Sequence, residues 1–242
     1  MPTVLILKTG SAVDCVRDAL GDFEDWFSAA LNILCSVEVL DCTREPLPAA
    51  VDSYTAIIVT GSAAMVSHRE DWSERTGAWL KDAVARGNPI LAVCYGHQLL
   101  AQALGGTVGP NPNGRQIGSR KVHLTGEGKQ DALLCTLPEY FVAQASHAES
   151  VLSLPEGAVR LACMETDKNY AFRIGENAWG VQFHPEFSAE ATREYIKARR
   201  DALVSEGLDP DELHSQVQDT PLAHALINRF AELAINPLLR AS

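Results

Sequence analysis

The sequence predicts an α/β fold with a mainly parallel central sheet and helices on both faces of that sheet. Short apolar runs, such as residues 4–7 and 90–93, have the unbroken hydrophobicity of strands that are buried on both sides. Between them lie longer segments with apolar residues at helical spacing, so strands and helices alternate along the chain. With 242 residues, the chain is long enough for one such domain with a well-buried core, or for one domain with an extension.

The first half of the chain follows this alternation closely. In order, we predict a strand at 4–7, a helical stretch at 13–34 with a break near Gly21, strands at 37–40 and 56–60, a helix at 70–86, a strand at 90–93 and a helix at 98–104. The strands at 56–60 and 90–93 should be neighbours in the sheet. Their carboxyl ends would then meet at one edge, where sheets of this kind place their sites.

The sequence pattern changes after Gly105, where the second half of the chain begins. A loop rich in glycine, proline and asparagine runs to Gly118, and short segments at 121–124, 140–145, 159–163 and 170–174 predict a small antiparallel extension. An apolar strand over residues 181–183 then ends at His184. Helical segments at 190–206, 209–216 and 220–234 complete the chain. We therefore expect an α/β domain at residues 1–187 and a C-terminal helical extension at 188–242 packed on the same domain.

Composition and charge argue against several classes of function. The net charge is −11, whereas binding to nucleic acid or to an anionic membrane calls for a basic surface. No apolar stretch has the length of a membrane span. The six cysteines include no C-x-x-C pair and the seven histidines no H-x-x-x-H cluster, so we expect neither a metal site nor a disulfide framework. This cysteine usage is typical of a reducing cytosol, and a cytoplasmic location is the expectation.

Cys94 occupies the junction between the strand at 90–93 and the helix that follows it. Ala92 and Gly96 flank it, and such small neighbours allow a sharp bend that pushes the side chain outwards, as in the G-x-S-x-G nucleophile elbow. The positive end of the following helix favours the reactive thiolate, and the backbone amide of Tyr95 is placed to donate to an oxyanion. The alternative is a buried structural cysteine, because free cysteine is among the most buried residue types.

Two further segments supply partners for this thiol. His184 and Glu186 lie two residues apart at the end of a strand, so both side chains can point the same way. The carboxylate can then fix the imidazole while His184 takes a proton from Cys94. The loop at Gly61 and Ser62 ends the neighbouring strand and can offer a second amide to an oxyanion. A structural histidine and a plain turn are the alternatives for these two segments.

In chain order, the segments TGS, VCYGHQ and FHPE resemble the motifs of the class I, triad-type glutamine amidotransferases. The match is closest to stand-alone proteins similar to the glutaminase domain of GMP synthetase, and it covers roughly residues 4–188. The resemblance implies the flavodoxin-like amidotransferase fold, no cofactor, and hydrolysis of the glutamine side-chain amide through a thioester on Cys94. It also implies a small-molecule substrate and a synthetase partner that receives the ammonia.

The resemblance also assigns roles residue by residue. The catalytic residues are the nucleophile Cys94, the general base and acid His184, and Glu186, which orients the imidazole. The oxyanion-hole residues are Gly61, Ser62 and Tyr95, and the substrate-binding residues are Gln98, Ser146, His147 and Ala148.

Three positions depart from the family pattern. Ala92 stands where the family has glycine, and it is small enough for the bend to survive. The oxyanion loop reads TGSAA and lacks the common Gly-Gly-Pro, so the identity of the donating amide is left open. Gln116 stands where many relatives carry a glutamate of structural role, and that role is not transferred.

Three functions stay open on this basis. The first is a glutamine amidohydrolase, alone or as the glutaminase subunit of an amidotransferase. The second is a γ-glutamyl peptidase or hydrolase, because cleavage of γ-glutamyl conjugates breaks the same type of bond. The third is a partner-dependent binding or regulatory module with a weakly active site. The sequence has neither a G-x-x-x-x-G-K-[ST] loop nor an S-G-G-x-D-S-type loop for ATP, so we do not expect GMP synthesis by this chain alone.

Overall fold

The computed structural model describes residues 1–240 and confirms the predicted α/β class. Its strands form a nine-stranded sheet and a separate two-stranded sheet. The strands are β1 Thr3–Lys8, β2 Ser36–Asp41, β3 Ala56–Val59, β4 Ile90–Val93, β5 Thr107–Pro110, β6 Gln116–Leu124, β7 Tyr140–His147, β8 Glu149–Ser153, β9 Val159–Met164, β10 Asp167–Ile174 and β11 Ala178–Val181.

Helices precede, connect and follow these strands. The α-helices are α1 Asp14–Leu20, α2 Phe23–Ala30, α3 Asp71–Ala85, α4 Tyr95–Ala103, α5 Ala189–Ala198, α6 Arg200–Ser205, α7 Pro210–Ser215 and α8 Pro221–Ile235. Short 3-10 helices lie at Val51–Ser53, Val66–His68, Gly128–Gln130 and Pro237–Arg240. Within residues 1–240, no helix combines the length and the apolar character that crossing a bilayer requires.

The large sheet is covered on both faces, as predicted. Val4 and Ile6 of β1 belong to one buried cluster, which includes side chains of α2 and α8. Leu5 and Leu7 belong to a second cluster, with side chains of α3 and α4. Because neighbouring side chains of a strand point to opposite faces, each face of β1 packs against its own pair of helices. This double burial explains why the strands are continuous apolar runs rather than alternating ones.

The order of strands brings three chain segments to one edge of the sheet. Five neighbouring strands run parallel, in the order β2-β1-β3-β4-β11. β10 reverses the direction beside β11, and antiparallel pairs continue to β9, β6 and β7. β3 and β4 are neighbours as predicted, and β11 lies on the other side of β4. The carboxyl ends of these three strands therefore lead directly into the segments that carry Gly61, Cys94 and His184.

The segment after Ser188 is helical and packs against the α/β core. α5 begins after Ser188, whose side chain caps the helix, and it contacts α1 and β6. α8 lies beside α2, where the side-chain amide of Asn228 donates to the carbonyl of Ala30 at 2.7 Å. Phe230 of α8 is fully buried and meets the Trp179 ring of β11 edge to face. Up to residue 240, the C-terminal helices thus share their core with the sheet.

Several local predictions differ from the structure. The helix expected at 190–206 is two helices that meet at Arg199, although no glycine or proline marks the break. The loop expected up to Gly118 contains β5 and the start of β6. β5 pairs with β8, which was not predicted, and this pairing joins segments some forty residues apart that local patterns cannot connect. The strand before His184 already ends at Val181, and the helix after Cys94 begins at once, at Tyr95.

Candidate active site

The backbone bends sharply at Cys94, between β4 and α4. Its φ and ψ angles are 51° and −100°, a combination that few non-glycine residues adopt. Gly96 makes the bend possible, because a β-carbon there would lie 2.8 Å from the carbonyl oxygen of Val59 on β3. Ala92 is fully buried within β4, so the bend forms without a glycine at that position. Cys94 therefore lies at the carboxyl edge of the sheet and at the N-terminus of α4.

His184 lies just beyond β11, the strand next to β4. Its Nδ1 is 2.7 Å from Oε1 of Glu186, and both residues are buried. The imidazole stacks on the Phe187 ring with 4.0 Å between centroids, and its backbone amide donates to the carbonyl of Gln144 at 2.9 Å. Cys94 lies close enough for the charge of its sulfur to act on the imidazole, and its thiol donates a hydrogen bond to the carbonyl oxygen of Ser146 at 3.8 Å. Carboxylate, imidazole and thiol thus form one array of neighbouring groups at this edge of the sheet.

Charge determines where the proton of this array resides. Burial by itself lowers the pKa of His184, but the neighbouring Glu186 and Cys94 raise it to about 10. The imidazole therefore keeps its proton at neutral pH. A protonated imidazole next to a sulfur atom stabilises negative charge on that sulfur, and the thiolate is the form in which cysteine acts as a nucleophile.

The loop after β3 lies against this array. A β-carbon at Gly61 would lie 2.9 Å from Cε1 of His184, so the absence of a side chain lets the loop approach the imidazole closely. Oγ1 of Thr9 donates to the carbonyl oxygen of Gly61 at 3.0 Å and fixes the loop. Tyr95 is the first residue of α4, and the first amides of a helix have no acceptor within the helix. The amide of Tyr95 is therefore free of intrahelical bonding.

A small pocket opens next to Cys94. Most of the residues to which the sequence assigns oxyanion or substrate binding line it, together with the cysteine. These residues are Ser62, Cys94, Tyr95, Gln98, Ser146, His147 and Ala148. Gly61, His184 and Glu186 are not part of its lining. The structure thus brings the predicted binding residues to one pocket and joins the predicted catalytic residues in the adjoining array.

Internal hydrogen bonds fix the part of the pocket around Gln98. Its amide nitrogen donates to Oε1 of Gln182 at 3.0 Å and to the carbonyl oxygen of Glu149 at 2.7 Å, so its side-chain oxygen is the group left for a ligand. Nδ1 of His147 meets the same carbonyl oxygen at 2.9 Å. Burial lowers the pKa of His147 to about 4, so its ring is neutral at pH 7 and donates this hydrogen bond.

The pocket is also lined by residues that were not predicted as site residues. Arg115 precedes Gln116 and Glu149 follows Ala148 in the chain, whereas Arg199 comes from the junction of α5 and α6, in a run of charged residues typical of a solvated helix face. Gln116 is buried, and its side chain donates to the carbonyl of Gly114 at 3.3 Å. Among the residues that the structure describes, no group of three or more histidines, cysteines or carboxylates could hold a metal ion.

Comparison with known proteins establishes the family of this chain. The sequence profile of the family described as glutamine amidotransferase class-I matches residues 18–200. The chain belongs to this family. The match includes all three motifs, and it extends from α1 to the junction of α5 and α6. The resemblance seen in the sequence is therefore confirmed.

Individual relatives agree with this assignment of the amidotransferase chain. The protein named GMP synthase [glutamine-hydrolyzing] of Porphyromonas gingivalis is 37% identical over 170 residues, which cover 67% of this chain and 30% of that protein. A glutamine amidotransferase-like protein of Schizosaccharomyces pombe is 26% identical over 204 residues, which cover 81% of this chain and 79% of the relative. This chain thus spans about 30% of the length of that bacterial GMP synthase and most of the length of the yeast protein.

The fold of the amidotransferase chain also occurs in solved structures. A glutamine amidotransferase from Thermotoga maritima superposes with a TM-score of 0.77 at 23% identity, covering 97% of this chain and 98% of the other. Because the superposition extends over nearly the whole chain, it includes the C-terminal helical region as well as the sheet. The predicted amidotransferase fold is confirmed.

Proposed function

We propose that this class-I amidotransferase chain hydrolyses the side-chain amide of glutamine to glutamate and ammonia through a thioester on Cys94. One observation supports this proposal above the others. Cys94 occupies a strained bend at the end of β4, beside the strand that leads to His184, and Glu186 holds the imidazole of His184 at 2.7 Å. A nucleophile next to a base that a third group orients is the arrangement that covalent catalysis of acyl transfer requires.

In the first half of the proposed reaction, the sulfur of Cys94 attacks the amide carbon. A carbon–sulfur bond forms, and an electron pair of the carbonyl moves to its oxygen. The amide of Tyr95 and an amide of the loop at Gly61 and Ser62 stabilise this oxyanion. As the carbon–nitrogen bond breaks, its electron pair stays on nitrogen, and His184 gives its proton to that nitrogen. Ammonia leaves, and the acyl group remains on sulfur as a thioester.

In the second half, water completes the hydrolysis. The neutral imidazole of His184 takes a proton from a water molecule while the water oxygen bonds to the thioester carbon. The carbon–sulfur bond then breaks, and its electron pair returns to the sulfur of Cys94. Glutamate leaves with the new oxygen, and the protonated imidazole and the thiolate are restored together. In this scheme Gln98, Ser146, His147 and Ala148 hold the amino-acid end of the substrate.

Ammonia release from L-glutamine tests the proposal directly. We expect the parent chain to release ammonia and the Cys94→Ala variant to lose this activity, whereas Cys42→Ala should keep it. Cys42 is a suitable control because it is also buried but does not line the pocket. A glutamine-mimicking diazo-ketone should form one adduct on Cys94, detected by mass spectrometry, and excess glutamine should suppress it. Equal release by the parent and Cys94→Ala proteins would contradict the proposal.

A second candidate is the hydrolysis of γ-glutamyl conjugates. The pocket extends to Arg115 and Arg199, beyond the residues assigned to glutamine itself, and this extension favours a test with larger substrates. Both reactions use the same array and break the same type of bond, so turnover distinguishes them. A higher kcat/KM for γ-glutamyl dipeptides than for L-glutamine would favour the peptidase. Labelling of Cys94 that glutamine does not suppress would point the same way.

We also propose that the ammonia passes to a synthetase partner. The name of the Porphyromonas gingivalis relative joins glutamine hydrolysis to GMP synthesis, which supports a search for such a partner. A synthetase that stimulates ammonia release when added would support this role. A stable complex that is unchanged by Cys94→Ala and transfers no ammonia would instead favour a binding or regulatory module. The cytoplasmic location stays a prediction from the cysteine pattern.

A further inference from the structure

Arg199 connects the C-terminal helices to the pocket beside Cys94. It lies at the break between α5 and α6, and its backbone amide donates to the carbonyls of Lys197 and Tyr195 at the end of α5. Its side chain lines the pocket, and all other lining residues that the structure describes precede Ser188. The helical extension therefore contributes one side chain to the pocket, and that side chain is cationic.

Within residues 1–240, the side chain of Arg199 forms no ion pair, although the charge of Glu206 acts on it. Its side chain is half-buried, and its Nε is buried without a hydrogen-bond partner among residues 1–240. Arg115, the other arginine of the pocket, instead forms a forked ion pair with Glu206, with nitrogen–oxygen distances of 2.8, 2.9 and 3.1 Å. Burial and the neighbouring charge of Arg115 lower the pKa of Arg199, and the charge of Glu206, whose carboxylate pairs with Arg115, offsets this only in part.

We propose that Arg199 binds a carboxylate of the substrate, so that the C-terminal helical extension takes part in substrate selection. A guanidinium group matches a carboxylate with two parallel hydrogen bonds, and the unpartnered Nε is one of its donors. The same pocket is lined by acceptors for a cationic group, namely the side-chain oxygen of Gln98 and the carboxylate of Glu149, one oxygen of which also accepts from the amide of Ser67 at 3.2 Å. Donors and acceptors together suit a zwitterionic substrate. This inference rests on the proposed function.

The candidate substrates carry two carboxylates that a guanidinium group could bind in this way. One is the α-carboxylate of the glutamyl group, which both glutamine and γ-glutamyl conjugates carry. The other belongs to the leaving group of a γ-glutamyl dipeptide. Replacement of either carboxylate by a neutral carboxamide removes the charge with little change in size. Paired substrates therefore identify which of the two Arg199 binds.

The test compares Arg199→Gln and Arg199→Lys with the parent chain and with Arg200→Gln. Arg200 is the matched control, because it is exposed and forms its forked ion pair with Asp211 at the surface. We expect Arg199→Gln to raise the KM for L-glutamine roughly 10-fold to 100-fold, because the variant loses hydrogen bonds to a charged group. The change in kcat should be smaller. Arg199→Lys should show an intermediate KM, and Arg200→Gln should match the parent.

Substrate pairs identify the carboxylate. The first pair is L-glutamine and L-glutaminamide, and the second is γ-glutamylglycine and its glycinamide counterpart. The parent should favour the charged member of one pair, and Arg199→Gln should lose that preference. Unchanged preferences in both pairs, with melting temperatures equal to that of the parent, would overturn the inference. If Arg199→Gln does not fold, Arg199→Lys, which keeps the charge but loses the forked donors, should show a weakened preference for the charged substrate, and an unchanged preference would overturn the inference.

A measurement without turnover separates this inference from the proposed function. Alkylation of Cys94 by iodoacetamide is followed by mass spectrometry while L-glutamate or L-glutamine is added as a protecting ligand. If the parent chain hydrolyses no amide, and glutamate or glutamine protects Cys94 less well in Arg199→Gln than in the parent, the carboxylate site is supported and the hydrolase is rejected. Turnover by the parent, with protection and KM unchanged in Arg199→Gln, would support the hydrolase and reject the carboxylate site.

Discussion

Cys94 holds a backbone conformation that its own side chain disfavours. A non-glycine residue at φ 51° and ψ −100° is strained, and such strain costs on the order of 1–3 kcal/mol. The surrounding structure imposes it, since the amide of Cys94 donates to Val181 of β11 and the amide of Gly96 donates to Thr60. The fold therefore maintains an unfavourable angle at the position where the thiol is exposed to the pocket.

Comparison of Cys94→Gly with Cys94→Ala measures this strain. Both variants lack the thiol, but glycine adopts positive φ freely, so we expect Cys94→Gly to be about 1 kcal/mol more stable than Cys94→Ala in urea unfolding. The control is the same pair at Cys163, within β9. At that position we expect Cys163→Gly to be less stable than Cys163→Ala by roughly 0.5–1 kcal/mol. Equal stability of the two Cys94 variants would show that the bend carries no strain.

The pairing of His184 with Glu186 should make stability depend on pH. The pKa of His184 is raised in the folded protein, so its contribution is fully present below the unfolded value of about 6.5 and is lost as the pH rises towards about 10. We expect Glu186→Gln to cost about 3 kcal/mol near pH 6, because it leaves a buried charge without its partner. This cost should shrink steadily when urea unfolding is repeated at pH 8 and pH 10.

The exposed pair of His123 and Glu139 provides the control for this pH series. Glu139→Gln removes the carboxylate partner of a histidine at the protein surface, where water and salt screen the interaction. Its effect should be small at every pH. A cost of Glu186→Gln that is constant from pH 6 to pH 10 would mean that the imidazole is not held in its charged form.

At the scale of elements, the loop after β3 must lie close to the imidazole. Gly61→Ala would put a β-carbon 2.9 Å from Cε1 of His184, and a ring stacked on Phe187 has little room to move. We expect Gly61→Ala to lower the rate of Cys94 labelling by a glutamine-mimicking electrophile at least tenfold, because a displaced imidazole no longer supports the thiolate. The variant should still fold.

Gly126→Ala is the control for this loop. No heavy atom lies within 4 Å of a β-carbon at Gly126, and its φ is not positive, so alanine fits there. Labelling of Cys94 in Gly126→Ala should equal that of the parent chain. If Gly61→Ala also labels at the parental rate, the loop does not position His184 as the geometry indicates.

Local sequence patterns were informative for elements that are buried on both faces. The strands from β1 to β4 begin and end within one or two residues of the predicted positions, because continuous apolar runs and flanking glycine or proline mark them. β5 and β8 were missed because their pairing partner is distant in the chain. The place of Arg199 in the pocket could not be foreseen either, because only tertiary packing determines which of several neighbouring charged residues reaches it.

At the scale of the whole molecule, the C-terminal helices belong to the core of the sheet. Phe230 of α8 is fully buried against Trp179, whereas Leu222 on the same helix is half exposed. We expect Phe230→Ala to lower the free energy of unfolding by roughly 3–5 kcal/mol, and Leu222→Ala to change it by less than about 0.5 kcal/mol. Far-UV and near-UV circular dichroism should report one shared transition in both variants. Separate transitions would show that residues 188–240 unfold independently.

The pairing of β4 with β11 determines the stage of folding at which Cys94 and His184 come together. These parallel strands pair segments about ninety residues apart along the chain, and contacts over such distances form slowly because a long loop must close first. Cys94 and His184 meet only when this register is set. During refolding, helical circular dichroism should recover before Cys94 regains its reactivity, and simultaneous recovery would contradict this order. A chain arrested before that step would hold most of its helices and still lack the assembled site, so labelling of Cys94 by a glutamine-mimicking electrophile, and not by a general alkylating reagent, reports completed folding.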